Sequence, residues 1–225
     1  MQHYHISSQS LKNRAVFAEG LNFYKLFWIF FISCILGVII ELGECFYSNH
    51  RFESRSGVIY GWFNPVYGFG ALFMTLCLYK LKNKVAIFIG SALIGGAFEY
   101  VCSVFQEMAF GTVSWNYDDL FGSIGGRTSF RLILTWGILG LVWVELIYPF
   151  FSKWIEKIPR KAGVPLTWVL AVFMVLNMAV SSYAVYRQRE RRIGLPPSNR
   201  LEELMDLHYT DDFLKRVYPN MIIVK

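Results

Sequence analysis

The chain has 225 residues, of which 55% are hydrophobic and only 17% are charged, and its mean hydropathy is positive at +0.38. This composition indicates an integral membrane protein. The net charge of +6 does not indicate nucleic-acid binding, because the Lys and Arg residues flank the apolar runs and do not form one stripe. Contact with anionic lipid headgroups explains them better.

Five apolar runs are close to the ~20 residues that a helix needs to cross a bilayer core. They predict an all-α integral membrane protein with about five transmembrane helices, at about 23–46, 65–81, 85–110, 130–150 and 164–186. The first run follows a polar segment, 1–22, and shows no cleavage site, so we interpret it as an uncleaved span. The second run is short unless the preceding "VIYGWFN" also enters the membrane.

A soluble helical tail is predicted after the last span, which divides the chain into a polar segment (1–22), a membrane domain (23–187) and the tail (188–225). "GLPPS" breaks the helix, and Asn199 and Thr210 have the positions of N-caps for two short helices. A tail of this size cannot bury its own core. We expect it to dock on the membrane domain or on a partner through Leu201, Leu204, Leu207 and Phe213.

The orientation in the membrane does not follow from the flanking charges. Ten Lys and Arg residues lie on the side of the amino terminus, among them Lys12, Arg14 and Lys25, and nine lie on the opposite side. The positive-inside rule needs a larger difference than this.

Polar residues gather at one face of the predicted bundle, where spans one and three end and spans two and four begin. We predict a funnel there with two carboxylates at its floor, Glu41 and Glu99. Around its mouth we place Glu107, Arg55, Arg127 and Arg131. An ionised carboxylate that faced lipid at this depth would cost several kcal/mol, so these groups should face inward, be paired or be protonated.

Each of these residues also has a structural interpretation. Glu107 could be an interfacial residue at a helix end, and Glu99 could form a structural salt bridge with an Arg. Trp115 and Tyr117 lie where an aromatic belt is expected in any case. The stretch "GWFNPVYGFG", which contains Asn64 and Tyr67, is either a capped helix entrance or a loop that dips into the bilayer along a protein-enclosed cavity.

Small residues four positions apart inside the spans predict helix–helix contacts. The pairs are Ser91 with Gly95, Ala92 with Gly96, and Asn177 with Ser181. "GGR" at 125–127 is not a phosphate-binding loop, because no Gly-Lys-Ser/Thr ending follows it.

An ordered set of motifs from about residue 30 onward resembles the bacterial family known as "putative ABC transporter permease, type IV". The set comprises Gly37-x-x-x-Glu41, Gly57-x-x-Tyr60-Gly61-x-x-x-Pro65-x-Tyr67-Gly68-x-Gly70, Glu99-Tyr100, Glu107, Phe110-Gly111, Trp115-x-Tyr117, Gly126-Arg127, Trp136-Gly137 and Tyr218-Pro219-Asn220-Met221. The three carboxylates are retained. The family's Asn-Arg-Gly is replaced by Arg55-Ser56-Gly57, so Arg55 could substitute for the displaced Arg.

The resemblance implies a multi-pass protein of the bacterial plasma membrane that works with a separate ATPase subunit, because this chain has no Gly-x-x-x-x-Gly-Lys-Ser/Thr motif of its own. Membrane lipid and a second copy of the chain are further candidate partners. The expected solute-binding residues are Glu41, Glu99, Glu107, Arg55, Asn64, Tyr67, Trp115, Tyr117 and Arg127. No residue is assigned a catalytic role, and no cofactor or metal is expected.

Two functions remain open at this point, beside a scaffold role in which the charges are purely structural. The first is a transporter permease or solute-binding membrane subunit that holds a polar or cationic solute at Glu41 and Glu99. The second is an intramembrane enzyme acting on a lipid or isoprenoid headgroup, with Glu99 and Glu107 as general acid and base. The motifs favour the first.

Overall fold

The computed structural model describes residues 16–224, and within that range the chain is a bundle of helices with four two-residue strands. Residues 1–15, with Lys12 and Arg14 and most of the predicted polar segment, lie outside the described part. The elements are α1 Phe23–Asn49, α2 Pro65–Leu78, α3 Lys84–Phe110, β1 Thr112–Val113, β2 Ser123–Ile124, β3 Thr128–Ser129, α4 Phe130–Val142, a π-helical turn Trp143–Ile147, α5 Tyr148–Glu156, α6 Arg160–Arg192, α7 Arg200–His208, α8 Asp211–Val217 and β4 Ile222–Ile223.

Four helical segments among the described residues are long and apolar enough to cross a membrane. They are α1, α3, the continuous run from α4 through the π-helical turn to α5, and α6. The third of them contains Pro149, which has no N–H to donate back along the helix. The widened turn lies directly before this proline. The predicted all-α membrane fold is confirmed.

The second predicted span is shorter than the others, because α2 has only 14 residues and so measures about 21 Å. The loop before it, 50–64, folds back against the bundle, and the Asn64 N–H donates to the Cys34 carbonyl at 2.9 Å. Cys34 lies about 22 Å along the axis from the end of α1. The loop therefore extends well down the side of α1, and it leads into a capped helix entrance, because Asn64 caps α2 and Pro65 is in its first turn.

Side chains of α6 hold this loop. Asn177 donates to the Tyr60 carbonyl at 2.7 Å and accepts from the Tyr60 N–H, while Ser181 accepts from the Ile59 N–H at 2.9 Å. The predicted Asn177 and Ser181 pair thus binds loop backbone as well as lying on a helix contact face. These bonds satisfy backbone groups that would otherwise be costly inside a membrane.

The small residues of α3 lie where α4 approaches most closely. A Cβ on Gly95 would lie 2.4 Å from Trp136, one on Gly96 would lie 2.7 Å from Ile133, and one on Gly140 would overlap Ser91. The predicted contact role of Gly95 and Gly96 is confirmed. This close approach brings Trp136 of α4 next to Glu99 of α3.

At the end of the bundle opposite the predicted funnel, a buried ion pair joins α1 to α5. Lys25 is fully buried, and its Nζ lies 2.5 Å from Glu156 and donates to the Ser152 hydroxyl and carbonyl. The main hydrophobic cluster, which includes Phe17, Ile29 and Ile155, lies at this end. The charge of Lys25, which lies in the first turn of α1, is thus compensated by a carboxylate.

The tail forms two short helices, α7 and α8, but the predicted docking residues were largely wrong. Leu201, Leu204 and Leu207 are exposed, whereas Met205 and Leu214 are buried against Ala184 of α6 with Phe213 beside them. The reason is electrostatic, because the buried Arg187 of α6 attracts the opposite face of α7.

Arg187 is the anchor of the tail. It is 1% exposed and forms ion pairs with Glu190 at 2.5 Å, Glu202 at 3.3 Å and Asp206 at 2.6 Å. Arg191 adds pairs with Asp206 at 2.5 Å and Asp211 at 2.6 Å. Hydrogen bonds from Arg187 and Arg191 hold the pKa of the Asp206 carboxyl below its usual range.

Candidate functional site

A cavity of about 650 Å³ lies at the end of the bundle where α1 and α3 finish and α2 and α4 begin. Its walls come from these helices, from both long loops and from α6, and seven of the nine predicted binding residues line it. They are Glu41, Arg55, Asn64, Tyr67, Glu99, Trp115 and Tyr117. Polar residues therefore gather at one end of the helical bundle, as the sequence predicted.

Glu41 projects from α1 about 12 Å below the end of that helix. Asn64, the N-cap of α2, donates to the Glu41 carboxylate at 3.1 Å, and Tyr67 in the first turn of α2 hydrogen-bonds to it as well. Gly37 permits this arrangement, because a Cβ there would lie 2.3 Å from the Tyr67 ring. The short α2 and its dipping loop thus bring two neutral donors to Glu41.

Glu99 of α3 is 8% exposed, so its side chain faces the interior as expected. Thr128 donates to its carboxylate at 2.9 Å, Trp136 donates at 3.3 Å, and Tyr117 hydrogen-bonds to it. These three donors are neutral. The expected neighbouring basic residue is not among them, so the structural salt bridge considered for Glu99 is not what the structure has.

Thr128 and Trp136 were missed as site residues. Trp136 has a motif position beside Gly137, but its distance in sequence from Glu99 concealed the contact. Thr128 follows a hairpin turn in which Gly125 and Gly126 both have positive φ, of 59° and 67°. That turn pairs β2 with β3 and so directs Thr128 at Glu99.

Each of the two carboxylates has a tyrosine hydroxyl as a hydrogen-bond partner. Tyr67 bonds to Glu41, Tyr117 bonds to Glu99, and the two tyrosines are close enough to influence each other electrostatically. Burial, together with the neighbouring Glu99, raises the pKa of Tyr117, so this hydroxyl stays protonated and donates. The order across the cavity is therefore Glu41, Tyr67, Tyr117, Glu99.

Glu107 and Arg127, which were predicted around the mouth of the funnel, are not part of the described lining of the cavity. They form an ion pair with each other. Arg127 also donates to Ser103 at 3.2 Å and lies over the Tyr100 ring. The reason is helical rotation, because Glu107 is turned about 80° from Glu99 around α3.

Arg131 is exposed and also lies outside the cavity wall. Its backbone carbonyl accepts from Thr135 within α4. Its predicted place at the mouth of the funnel stays a prediction.

Arg55 is the one basic residue among the described residues that line the cavity. Its guanidinium donates to Cys45 Sγ at 3.2 Å and lies 3.8 Å from Glu53, and it interacts electrostatically with Glu41. Glu41, Glu44 and Glu99 supply three carboxylates to the same wall. The lining therefore has an excess of negative groups, and Arg55 offsets the Glu41 side.

The last described residues complete the wall. β4 pairs antiparallel with β1, the Val224 N–H donates to the Gly111 carbonyl at 3.0 Å, and Asn220 donates to the Ser114 carbonyl at 3.3 Å. Tyr218, Asn220 and Met221 face the cavity as a result. Sequence reasoning had assigned this segment to the family motif but not to the site.

The cavity does not have the residues of a metal centre. Across residues 16–224, no group of three or more His, Cys, Asp and Glu side chains is placed to hold a metal ion. Carboxylates that are each surrounded by hydroxyl, amide and indole donors suit a hydrogen-bonded organic ligand.

Comparison with known proteins gave a match to one family model. The model is described as "Putative ABC-transporter type IV", and it matches residues 28–182, which is well over half of the chain. Curated proteins and solved structures gave no match. The matched segment contains Glu41, Glu99 and both loops that wall the cavity. The chain belongs to the putative ABC-transporter type IV family of membrane proteins.

Proposed function

We propose that the chain is the solute-binding membrane subunit, or permease, of a transporter in the cell membrane, and that its cavity holds a polar or cationic solute at Glu41 and Glu99. The observation that carries the proposal is the burial of Glu99 and the identity of its hydrogen-bond donors. Glu99 is a buried carboxylate in a 650 Å³ cavity, and the groups that donate to it are neutral. A buried charge of this kind is expensive unless a partner compensates it.

A cationic solute supplies that compensation. Thr128, Trp136 and Tyr117 satisfy hydrogen bonds of Glu99 and fix its position, but they leave its charge in place. A bound cation would then gain more from Glu99 than from a surface carboxylate, because screening by water is weaker inside the bundle. Membership of an ABC-transporter family is compatible with energy from a separate ATPase subunit.

The enzyme alternative requires Glu99 and Glu107 to act on one substrate. Glu107 is held by Arg127, and it is not part of the cavity wall. An acid–base pair divided in this way has no shared substrate position. We therefore do not favour catalysis on a lipid or isoprenoid headgroup.

We assign different roles to the membrane domain and to the tail. Residues 23–187 would form the solute pathway, while the tail, 188–225, would stabilise it through Arg187 and close the cavity wall with its last residues. A second copy of the chain would complete a transport unit, since four long helices are few for alternating access.

The test uses purified full-length protein in lipid, without a partner. A panel of cationic, zwitterionic, anionic and neutral solutes is screened for thermal stabilisation, because a ligand that binds the folded state raises the melting temperature by mass action. We expect stabilisation by a cationic or polar solute, lost in Glu99→Gln and retained in Glu145→Gln.

Glu145→Gln makes the same chemical change at an exposed carboxylate that pairs with Lys84 at the opposite end of the bundle. Stabilisation that survives Glu99→Gln would contradict the proposal. So would turnover of a lipid headgroup substrate that is lost in Glu99→Gln, since that result would establish the enzyme instead.

A further inference from the structure

The wall of the cavity is strongly aromatic. Nine of the thirty described residues that line it are Phe, Tyr or Trp, and they come from α2, α3, α4, the loop after α3 and the segment after α8. Two of them, Tyr117 and Trp136, bond to Glu99. Trp115 lines the same cavity, and it is fixed by donating to the Arg127 carbonyl at 2.9 Å.

Aromatic faces beside a carboxylate are the arrangement that recognises organic ammonium ions. The ring faces carry negative electrostatic potential and attract a cation that has lost its water, and the effect is largest for Trp. A carboxylate adds charge, while the rings add contact area for the alkyl groups around the nitrogen. Tyr117 and Trp136 direct their O–H and N–H groups at Glu99, and both residues line the same cavity as this carboxylate together with Trp115.

The size of the cavity argues against a bare inorganic cation. A volume of about 650 Å³ is within the range of about 300–1,000 Å³ that is typical of sites for organic ligands. An alkali metal ion would leave most of that volume to water. The described residues also provide no group of three metal-ligating side chains.

The charge balance argues against an anion or a zwitterion. Arg55 is the basic group in the described lining, and both Glu53 and Glu41 already interact with it. An anionic group placed there would also face Glu41. A ligand with net positive charge meets Glu44 and Glu99 without such a conflict.

We propose that the cavity binds an organic ammonium ion with an apolar body, a substituted amine or a quaternary ammonium compound. Its nitrogen would lie at Glu99 and its body against Trp115, Tyr117 and Trp136. This assignment rests on the proposed solute-binding function and specifies the substrate class of the same site.

The probe is benzyltriethylammonium, added to the full-length protein in lipid, with thermal stabilisation and tryptophan fluorescence as readouts. We expect saturable stabilisation by the probe, and none by potassium chloride at equal ionic strength or by glycine betaine. Glu99→Gln should weaken probe binding at least about tenfold, because the charge opposite the nitrogen is lost. Glu145→Gln should leave it unchanged.

Trp115→Leu separates the aromatic contribution from the charge. It removes a ring that does not bond to Glu99, and we expect probe binding to fall about 3- to 30-fold, the range for a desolvated cation–π contact. Trp115→Phe, which keeps a ring, should restore most of the affinity. If Trp115→Leu folds poorly, Trp115→Phe still tests contact between the probe and this ring, because the change in tryptophan fluorescence on probe binding should become smaller while thermal stabilisation is retained.

The outcomes separate this inference from the proposed function. If glycine betaine or potassium stabilises the protein in a Glu99-dependent manner and the probe does not, the substrate class is overturned while the solute site remains. If no solute in the full panel acts through Glu99, the proposed function fails and the inference fails with it. Probe binding that is equal in Trp115→Leu and wild type would also overturn the aromatic site.

Discussion

The two ends of the helical bundle both contain a buried ionisable side chain, but the partners of that side chain differ. At one end Lys25 is fully buried and meets Glu156 at 2.5 Å, next to the main hydrophobic cluster. At the other end Glu99 is buried among neutral donors at a cavity. A compensated charge fastens helices together, whereas an uncompensated one beside empty volume is available for a ligand.

The largest effect that tests this comparison is expected at the compensated end. Glu156→Gln leaves the Lys25 ammonium buried without its anion, and we expect a loss of roughly 3 kcal/mol of stability. Lys25→Met should cost less, because the remaining Glu156 carboxylate is 36% exposed and can be hydrated. Thermal unfolding in lipid or detergent measures both variants. Equal or negligible losses would show that this pair does not fasten α1 to α5.

The next largest effect concerns the two faces of α7. Met205→Ala removes a buried side chain that packs on Ala184, and we expect about 2 kcal/mol less protection of the tail, measured by amide exchange. Leu204→Ala is the matched control, since Leu204 is exposed and should change protection by less than about 0.5 kcal/mol. The reverse ranking would mean that the leucine face docks after all.

A smaller effect of opposite sign is expected at the cavity. Glu99→Gln replaces a buried carboxyl group whose hydrogen-bond donors are neutral, so we expect the ligand-free protein to be unchanged in stability or up to about 1 kcal/mol more stable, while the proposed solute binding is lost. The measurement is the melting temperature without ligand. A drop as large as that of Glu156→Gln would indicate that Glu99 is a structural residue like the charges at the other end.

The smallest effect is the pH dependence of the tail. The pKa of Asp206 is lowered chiefly by hydrogen bonds from Arg187 and, in addition, from Arg191. The contribution of Asp206 to the stability of the docked tail is therefore fully present above the ordinary Asp pKa of about 3.9, and it is lost as pH falls through the lowered value. We expect amide protection of α7 to be constant at neutral pH and to fall below about pH 4. Asp206→Asn should lack this step, and an identical acid profile in that variant would assign the step to another group.

Much of the architecture was predictable, because long apolar runs and clustered polar residues are local signals. The four long helices, the polar face with Glu41 and Glu99, and the contact role of Gly95 and Gly96 all followed from runs and spacing. The dipping loop was one of two interpretations that the sequence left open. The structure has the capped entrance, with Asn64 as the N-cap of α2, and the same residue also bonds to the Cys34 carbonyl beside α1.

What was not predictable depended on rotation and pairing between distant elements. Helical periodicity showed that Glu107 was turned away from Glu99, but not that Arg127 lay on that side to pair with it. In α7 both faces carry apolar residues, so hydrophobicity could not choose between Leu204 and Met205. Met205 is the buried one because Arg187 forms ion pairs with the acidic side of α7 and so turns that side toward α6. Arg187 lies 18 residues before Met205 in the sequence.

The pairing of β4 with β1 has a consequence for how the protein is made. The four long apolar helices among the described residues all precede Tyr218, Asn220 and Met221 in the chain, so these three residues are synthesised after them. Until they reach Ser114 and Gly111, the aromatic and acidic cavity lacks one of its walls. This part of the cavity wall is therefore assembled only after all four long helices have been synthesised.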